Sequence, residues 1–108
     1  MNKFEAVLLV SPEISNSQLN KELENFENLL ANSKGKVINK ENWGLKDLSF
    51  SIFNFKKAFY KYFQIEINGN EIKNLSKNLG QNDNILRHLF IRVEKHQELP
   101  TKLINEKE

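Results

Sequence analysis

The sequence predicts one α+β domain with its elements in the order βαββαβ, and three features of the 108 residues carry that prediction. Residues 4–10 and 58–67 alternate with a period of two, as strands do. Residues 19–30 and 72–79 instead repeat apolar side chains at intervals of three and four, the spacing of one helical face. Pro12, Gly35, Gly44, Gly69 and Gly80 stand between these stretches, so each helix is bracketed by strands.

The opening strand carries Phe4, Ala6, Leu8 and Val10 on one side, and Val7 and Leu9 keep its other side largely apolar, which predicts a central place in a sheet. Ser11-Pro12 ends it, and Ser15-Asn16-Ser17 offers oxygens that can accept from the free amides of a helix start. Leu19, Leu23, Phe26 and Leu30 then share a face, with Lys21, Glu22, Glu24 and Asn25 expected to point away. Gly35 occupies the place where helices stop in a left-handed residue.

Residues 36–43 read as a polar strand, hence an edge, which Gly44 breaks. Leu45 to Lys57 mixes Leu48, Phe50, Ile52, Phe53 and Phe55 with small and basic residues and reads as a long hairpin arm, with Phe50 and Ile52 as its core positions. The third strand, 58–67, is the clearest, with Phe59, Phe63, Ile65 and Ile67 on one face and Tyr60, Tyr62, Gln64 and Glu66 on the other. Asn68-Gly69 turns the chain, Ile72, Leu75 and Leu79 mark a second helix ending at Gly80, and 85–93 forms the last strand.

Right-handed crossovers place both helices on one face of a four-stranded antiparallel sheet, the ferredoxin-like arrangement. The first and third strands become central, the second and fourth become edges, and the other sheet face stays open. Leu8, Phe26, Leu30, Ile65 and Leu75 are the expected core. The domain spans 1–96, and 97–108, poor in apolar residues, are expected to form a flexible tail.

With no cysteine, the chain has no disulfide framework, thiolate zinc site or cysteine nucleophile, which fits the reducing cytosol. The apolar run 4–10 is too short to span a bilayer and lacks the pattern of a cleaved signal. The net charge is only +2, but it is unevenly spread. Residues 56–96 hold 8 Lys/Arg against 4 Asp/Glu, a local +4.

His88 and His96 are the only histidines, and neither has a metal-ligand neighbour at useful spacing. No GxSxG, HExxH, Walker loop or GxGxxG occurs, so no enzyme, metal or cofactor is expected. Tyr60 and Tyr62 lie two apart on the face opposite the apolar stripe, where rings can stack on bases or on a partner. The stretch 57–63 has the aromatic density of an RNA-recognition octamer but lacks its glycines and holds Lys61 where an aromatic belongs. Lys3, Lys46, Lys56, Lys57, Arg87 and Arg92 fall near strand ends and the arm, where they can reach phosphates without disturbing the core.

The whole pattern resembles the bacterial small-subunit ribosomal protein S-six family. Phe4-Glu5, the turn at Ser11-Pro12, Trp43-Gly44 with Leu48, Phe50 and Ile52, Lys57-Ala58, Tyr60, the run Asn82-Asp83-Asn84-Ile85-Leu86-Arg87 and Arg92 carry the resemblance. It covers residues 2 to about 95. Ser51, Leu45, Asp47 and Leu86 depart from the residues usual there.

The resemblance implies a ferredoxin-like, non-catalytic component of the cytoplasmic small subunit. Such a protein joins the S-eighteen ribosomal protein, binds the central domain of small-subunit rRNA, and is a monomer when free. It further implies that Trp43, Leu45, Phe53, Phe55, Tyr60 and Tyr62, on or beside the arm, face the partner protein, and that the six cations face RNA. The alternative is a ferredoxin-like regulatory or ligand-binding domain that pairs through its open sheet into a homodimer.

Overall fold

The computed structural model describes residues 1–97 and Leu99. Strand β1 (Asn2–Val10) leads to helix α1 (Asn16–Asn32), strands β2 (Lys36–Ile52) and β3 (Phe55–Ile67), helix α2 (Ile72–Gly80) and strand β4 (Ile85–Val93), with one turn of 3-10 helix at Gly69–Glu71. The sheet order is β2-β3-β1-β4 and every pairing is antiparallel, so the expected ferredoxin-like topology holds, with β1 and β3 central.

The core lies between the sheet and the helices. Leu8, Phe26, Leu30, Ile65 and Leu75 are all buried in it, together with Phe4, Ala6, Val10 and Phe63. Phe26 of α1 meets Phe63 of β3 with ring centroids 4.8 Å apart. Burial of a side chain of that size contributes about 1.5–3 kcal/mol. Ser15 caps α1, its Oγ accepting from the Gln18 N–H at 3.2 Å.

Three local expectations change. The left-handed residue after α1 is Lys34, with φ 62°, not Gly35. Gly35 is needed for close approach instead, because a Cβ there would come within 2.9 Å of the Glu66 carbonyl oxygen and 3.1 Å of the Ile67 side chain. Glu22 does not point to solvent; it is buried on α1 beside the loop after α2.

The third change concerns the arm. Gly44 does not end β2 but lies in a bulge, with φ 81°, and the strand continues to Ile52. The pairing passes from Asp47↔Lys57 to Ile52↔Phe55, so residues 48–51 of β2 face only Lys56 of β3. Such bulges break the alternation that sequence patterns rely on. Phe50, expected at a core position, rides on this bulge and is 85% exposed. Phe53 and Asn54 close the hairpin with φ 50° and 69°, the positive values that a two-residue type I′ turn demands at both positions.

Of the expected tail, Gln97 is described and held: its amide N–H donates to Glu5 Oε2, its side chain to Glu5 Oε1 and the Tyr62 hydroxyl, and its carbonyl accepts from Gln64. Residue 98 and residues 100–108 of that tail lie outside the described residues. No helix among the described residues is long and apolar enough to cross a membrane.

Candidate functional site

The open face of the sheet carries a second, smaller apolar cluster. Leu9 of β1, Ala58 of β3 and Leu86 of β4 are buried there, with Val7, Leu48, Ile52, Phe55 and Tyr60 packed around them. The arm therefore curls over the end of the sheet instead of extending free. A groove of about 210 Å³ runs along it, lined by Leu9, Leu48, Phe50, Ile52, Tyr60 and Arg87.

The six side chains expected to face a partner separate into four places. Trp43 and Tyr62 stack on each other, centroids 4.9 Å apart and planes 12° from parallel, and both are buried. The Trp43 Nε1–H donates to Glu41 Oε1 at 2.9 Å, and the Tyr62 hydroxyl accepts from Gln64 and Gln97. Both rings are covered in the chain by itself, where the bulge at Trp43 sets its indole against Tyr62. Tyr60 is half-buried in the groove beside Phe50. Phe53 and Phe55 turn toward the loop after α2. Leu45, opposite Phe59, lies on the helix side of the sheet and is exposed.

The cations also separate. Lys46 pairs with Ala58 and Arg87 with Leu9, so both project from the open face near the arm, where Lys56 is exposed as well. Lys46 Nζ stands 6.0 Å from the ring centroids of both Trp43 and Tyr60, the outer limit of a cation–π contact. Lys57 meets Asp47 at 3.5 Å in an exposed pair, worth only about 0–1 kcal/mol. Lys3 and Arg92 sit at the opposite end of β1 and β4, about 20 Å from Leu9 at ~3.3 Å per residue.

Three exposed apolar side chains escaped the reading of the sequence. Phe50 was hidden by the bulge. Leu89 and Ile91 of β4 pair with Val7 and Glu5 on the open face and are about half exposed. The signal was present in the strand Ile85–Val93, an edge strand apolar on both faces although helices cover one.

The loop after α2 is fixed from below. Asn82 Nδ2 donates to Glu22 Oε1 at 2.7 Å and Asn84 Nδ2 to Glu22 Oε2 at 2.5 Å, with Gln18 adding a third donor at 3.3 Å. Burial alone would raise the Glu22 pKa, but hydrogen bonds from Asn84, Asn82, Gln18 and Asn25 outweigh it and hold the carboxyl below its ordinary range. The motif Asn82-Asp83-Asn84 is thus the anchor of the loop to α1. Lys61, buried on the helix side opposite Leu8, is pushed below its ordinary pKa by loss of solvent. Burial does the same to His88.

No three or more histidine, aspartate or glutamate side chains gather as a metal site among the described residues. The family model "Ribosomal protein S6" matches residues 3–92. This chain belongs to the ribosomal protein S6 family. Relatives named small ribosomal subunit protein bS6 include that of Rickettsia felis, 28% identical over 96% of this chain and 86% of that protein. That of Christiangramia forsetii is 28% identical over 89% of this chain and 86% of its own length. The 30S ribosomal protein S6 of Thermotoga maritima superposes with a TM-score of 0.80 over 85% of this chain and 87% of that one, at 17% identity, a likeness of fold. As an S6 family member the chain is a structural, non-enzymatic constituent of the small ribosomal subunit and works in the cytoplasm, on the ribosome.

Proposed function

We propose that this chain binds the central domain of small-subunit rRNA in company with the S-eighteen ribosomal protein, and that the open sheet face meets that partner. The exposure of Phe50 carries this reading: an 85% exposed phenylalanine beside Tyr60 and Arg87, on a face that continues to Leu89 and Ile91. Exposed apolar patches rimmed by charge mark protein contacts, and aromatic anchors dominate their energetics. Gln97 lies over the middle of this face, hydrogen-bonded to Glu5 and Tyr62.

Lys46, Lys56 and Arg87 on the open face and Lys57 on the helix side are proposed as phosphate contacts beside the arm, with Lys3 and Arg92, on opposite faces of the sheet, as further contacts at the far end. Four cations beside the arm release few counterions, so the partner must supply more. The free chain is proposed to be a monomer. Sedimentation equilibrium of the purified chain, alone and mixed with the S-eighteen protein, tests this: a monomer that becomes a one-to-one heterodimer is expected, and a symmetric homodimer indifferent to the partner would overturn it.

A further inference from the structure

A cavity of about 440 Å³ lies between the hairpin tip and the loop after α2, lined in part by Phe53, Phe55, Asp83, Arg87 and His88. That volume is within the roughly 300–1,000 Å³ of small-ligand sites. One wall is rigid. Besides the Glu22 anchor, the Ser11 N–H donates to the Asn84 carbonyl at 2.8 Å and the Ile85 N–H to the Asn82 carbonyl at 3.1 Å. The facing wall is aromatic, with Phe55 half-buried at its base and Phe53 75% exposed at the turn.

Two charged groups of the lining are unengaged. Asp83 and Arg87 are both exposed, and neither makes an ion pair or side-chain hydrogen bond among the described residues. An apolar side chain of a protein partner would strip water from both without replacing it, which costs free energy for each charge. A nucleotide answers both at once, with N–H groups on its base for the carboxylate and a phosphate for the guanidinium. Guanine alone among the four bases sets two N–H donors side by side on its Watson–Crick edge, matching the two oxygens of a carboxylate.

We propose that this cavity receives one unstacked guanine of small-subunit RNA, its ring against Phe53, its Watson–Crick edge donating to Asp83, and a phosphate of the same or the adjoining nucleotide accepting from Arg87. Unstacked bases held on aromatic rings and read on that edge are the usual mode of sequence-specific RNA recognition. The assignment rests on the RNA-binding reading above and adds a base and a place to it.

The test uses the full chain assembled with the S-eighteen protein and central-domain rRNA. Ultraviolet crosslinking with mass spectrometry should join the peptide containing Phe53 and Phe55 to a single guanosine. Replacing that guanosine by inosine, which lacks the amino group, should weaken binding about tenfold, the scale of a hydrogen bond to a charged group. Asp83→Asn should do the same, and the two changes together should cost no more than either alone. Free guanosine monophosphate at the RNA's concentration should not displace it; displacement would overturn the assignment to RNA. Crosslinks from this peptide to the partner protein, or unchanged affinity on inosine substitution, would overturn the cavity's role while leaving RNA binding intact. An assembled complex that fails to bind the RNA at all would sink both.

Discussion

Asn84 donates to the carboxylate of Glu22 at 2.5 Å, tying the loop before β4 to α1 across 62 residues of sequence. Because the folded-state pKa of Glu22 is depressed, this contact stabilises the fold above the ordinary carboxylate pKa and is lost as pH falls through the folded value. Asn84→Ala should cost about 1.5–3 kcal/mol at pH 7, the range for a hydrogen bond to a charged group. Urea denaturation at pH 7 and again in the acid range checks it. The gap between wild type and Asn84→Ala should close as pH falls; a gap independent of pH would show that the charge is not what matters.

The five core residues give a simpler prediction. Leu8, Phe26, Leu30, Ile65 and Leu75 are all buried, so truncation of each to alanine should cost about 2–5 kcal/mol. Losses under half a kcal/mol at most of these positions in equilibrium denaturation would contradict the packing.

Lys34 and Gly35 form a matched pair of tests. Lys34→Gly removes the strain of a side chain at φ 62° and should stabilise by up to about 1 kcal/mol. Gly35→Ala drives a methyl against the Glu66 backbone and should destabilise by about 1–3 kcal/mol. Thermal melts of the two variants should move in opposite directions.

At the proposed partner surface, Phe50→Ala should weaken association with the S-eighteen protein by about 2 kcal/mol while leaving the melting temperature nearly unchanged. Trp43→Ala should lower the melting temperature, since it removes a buried ring stacked on Tyr62. Calorimetric titration beside melting curves separates the two, and a Phe50→Ala variant that melts early but binds normally would place that ring in the core.

Most of the fold was legible because its periodicities were clean. The alternation of Phe59, Phe63, Ile65 and Ile67 and the spacing of Leu19, Phe26 and Leu30 each name one buried face. The arm was not legible, because bulges at Trp43 and at residues 48–51 shift side chains between faces without leaving a mark in the pattern. For that reason Phe50, expected at a core position, is exposed, and Trp43, expected at a surface, is buried. The burial of Glu22 left no local mark because its partners, Asn82 and Asn84, lie 60 and 62 residues away. The cations were identified by type, but only the register separates Lys46 and Arg87 from Lys3 and Arg92.

The central claim is that the chain engages small-subunit rRNA as one half of a pair. Titrating central-domain rRNA with the chain alone and with an equimolar mixture of chain and S-eighteen protein, across a series of salt concentrations, tests it most directly. Weak, steeply salt-dependent binding alone is predicted, with a large gain in affinity on adding the partner and a salt slope reduced by about one unit in Arg87→Ala. Tight binding by the isolated chain, unaffected by the partner, would contradict the account.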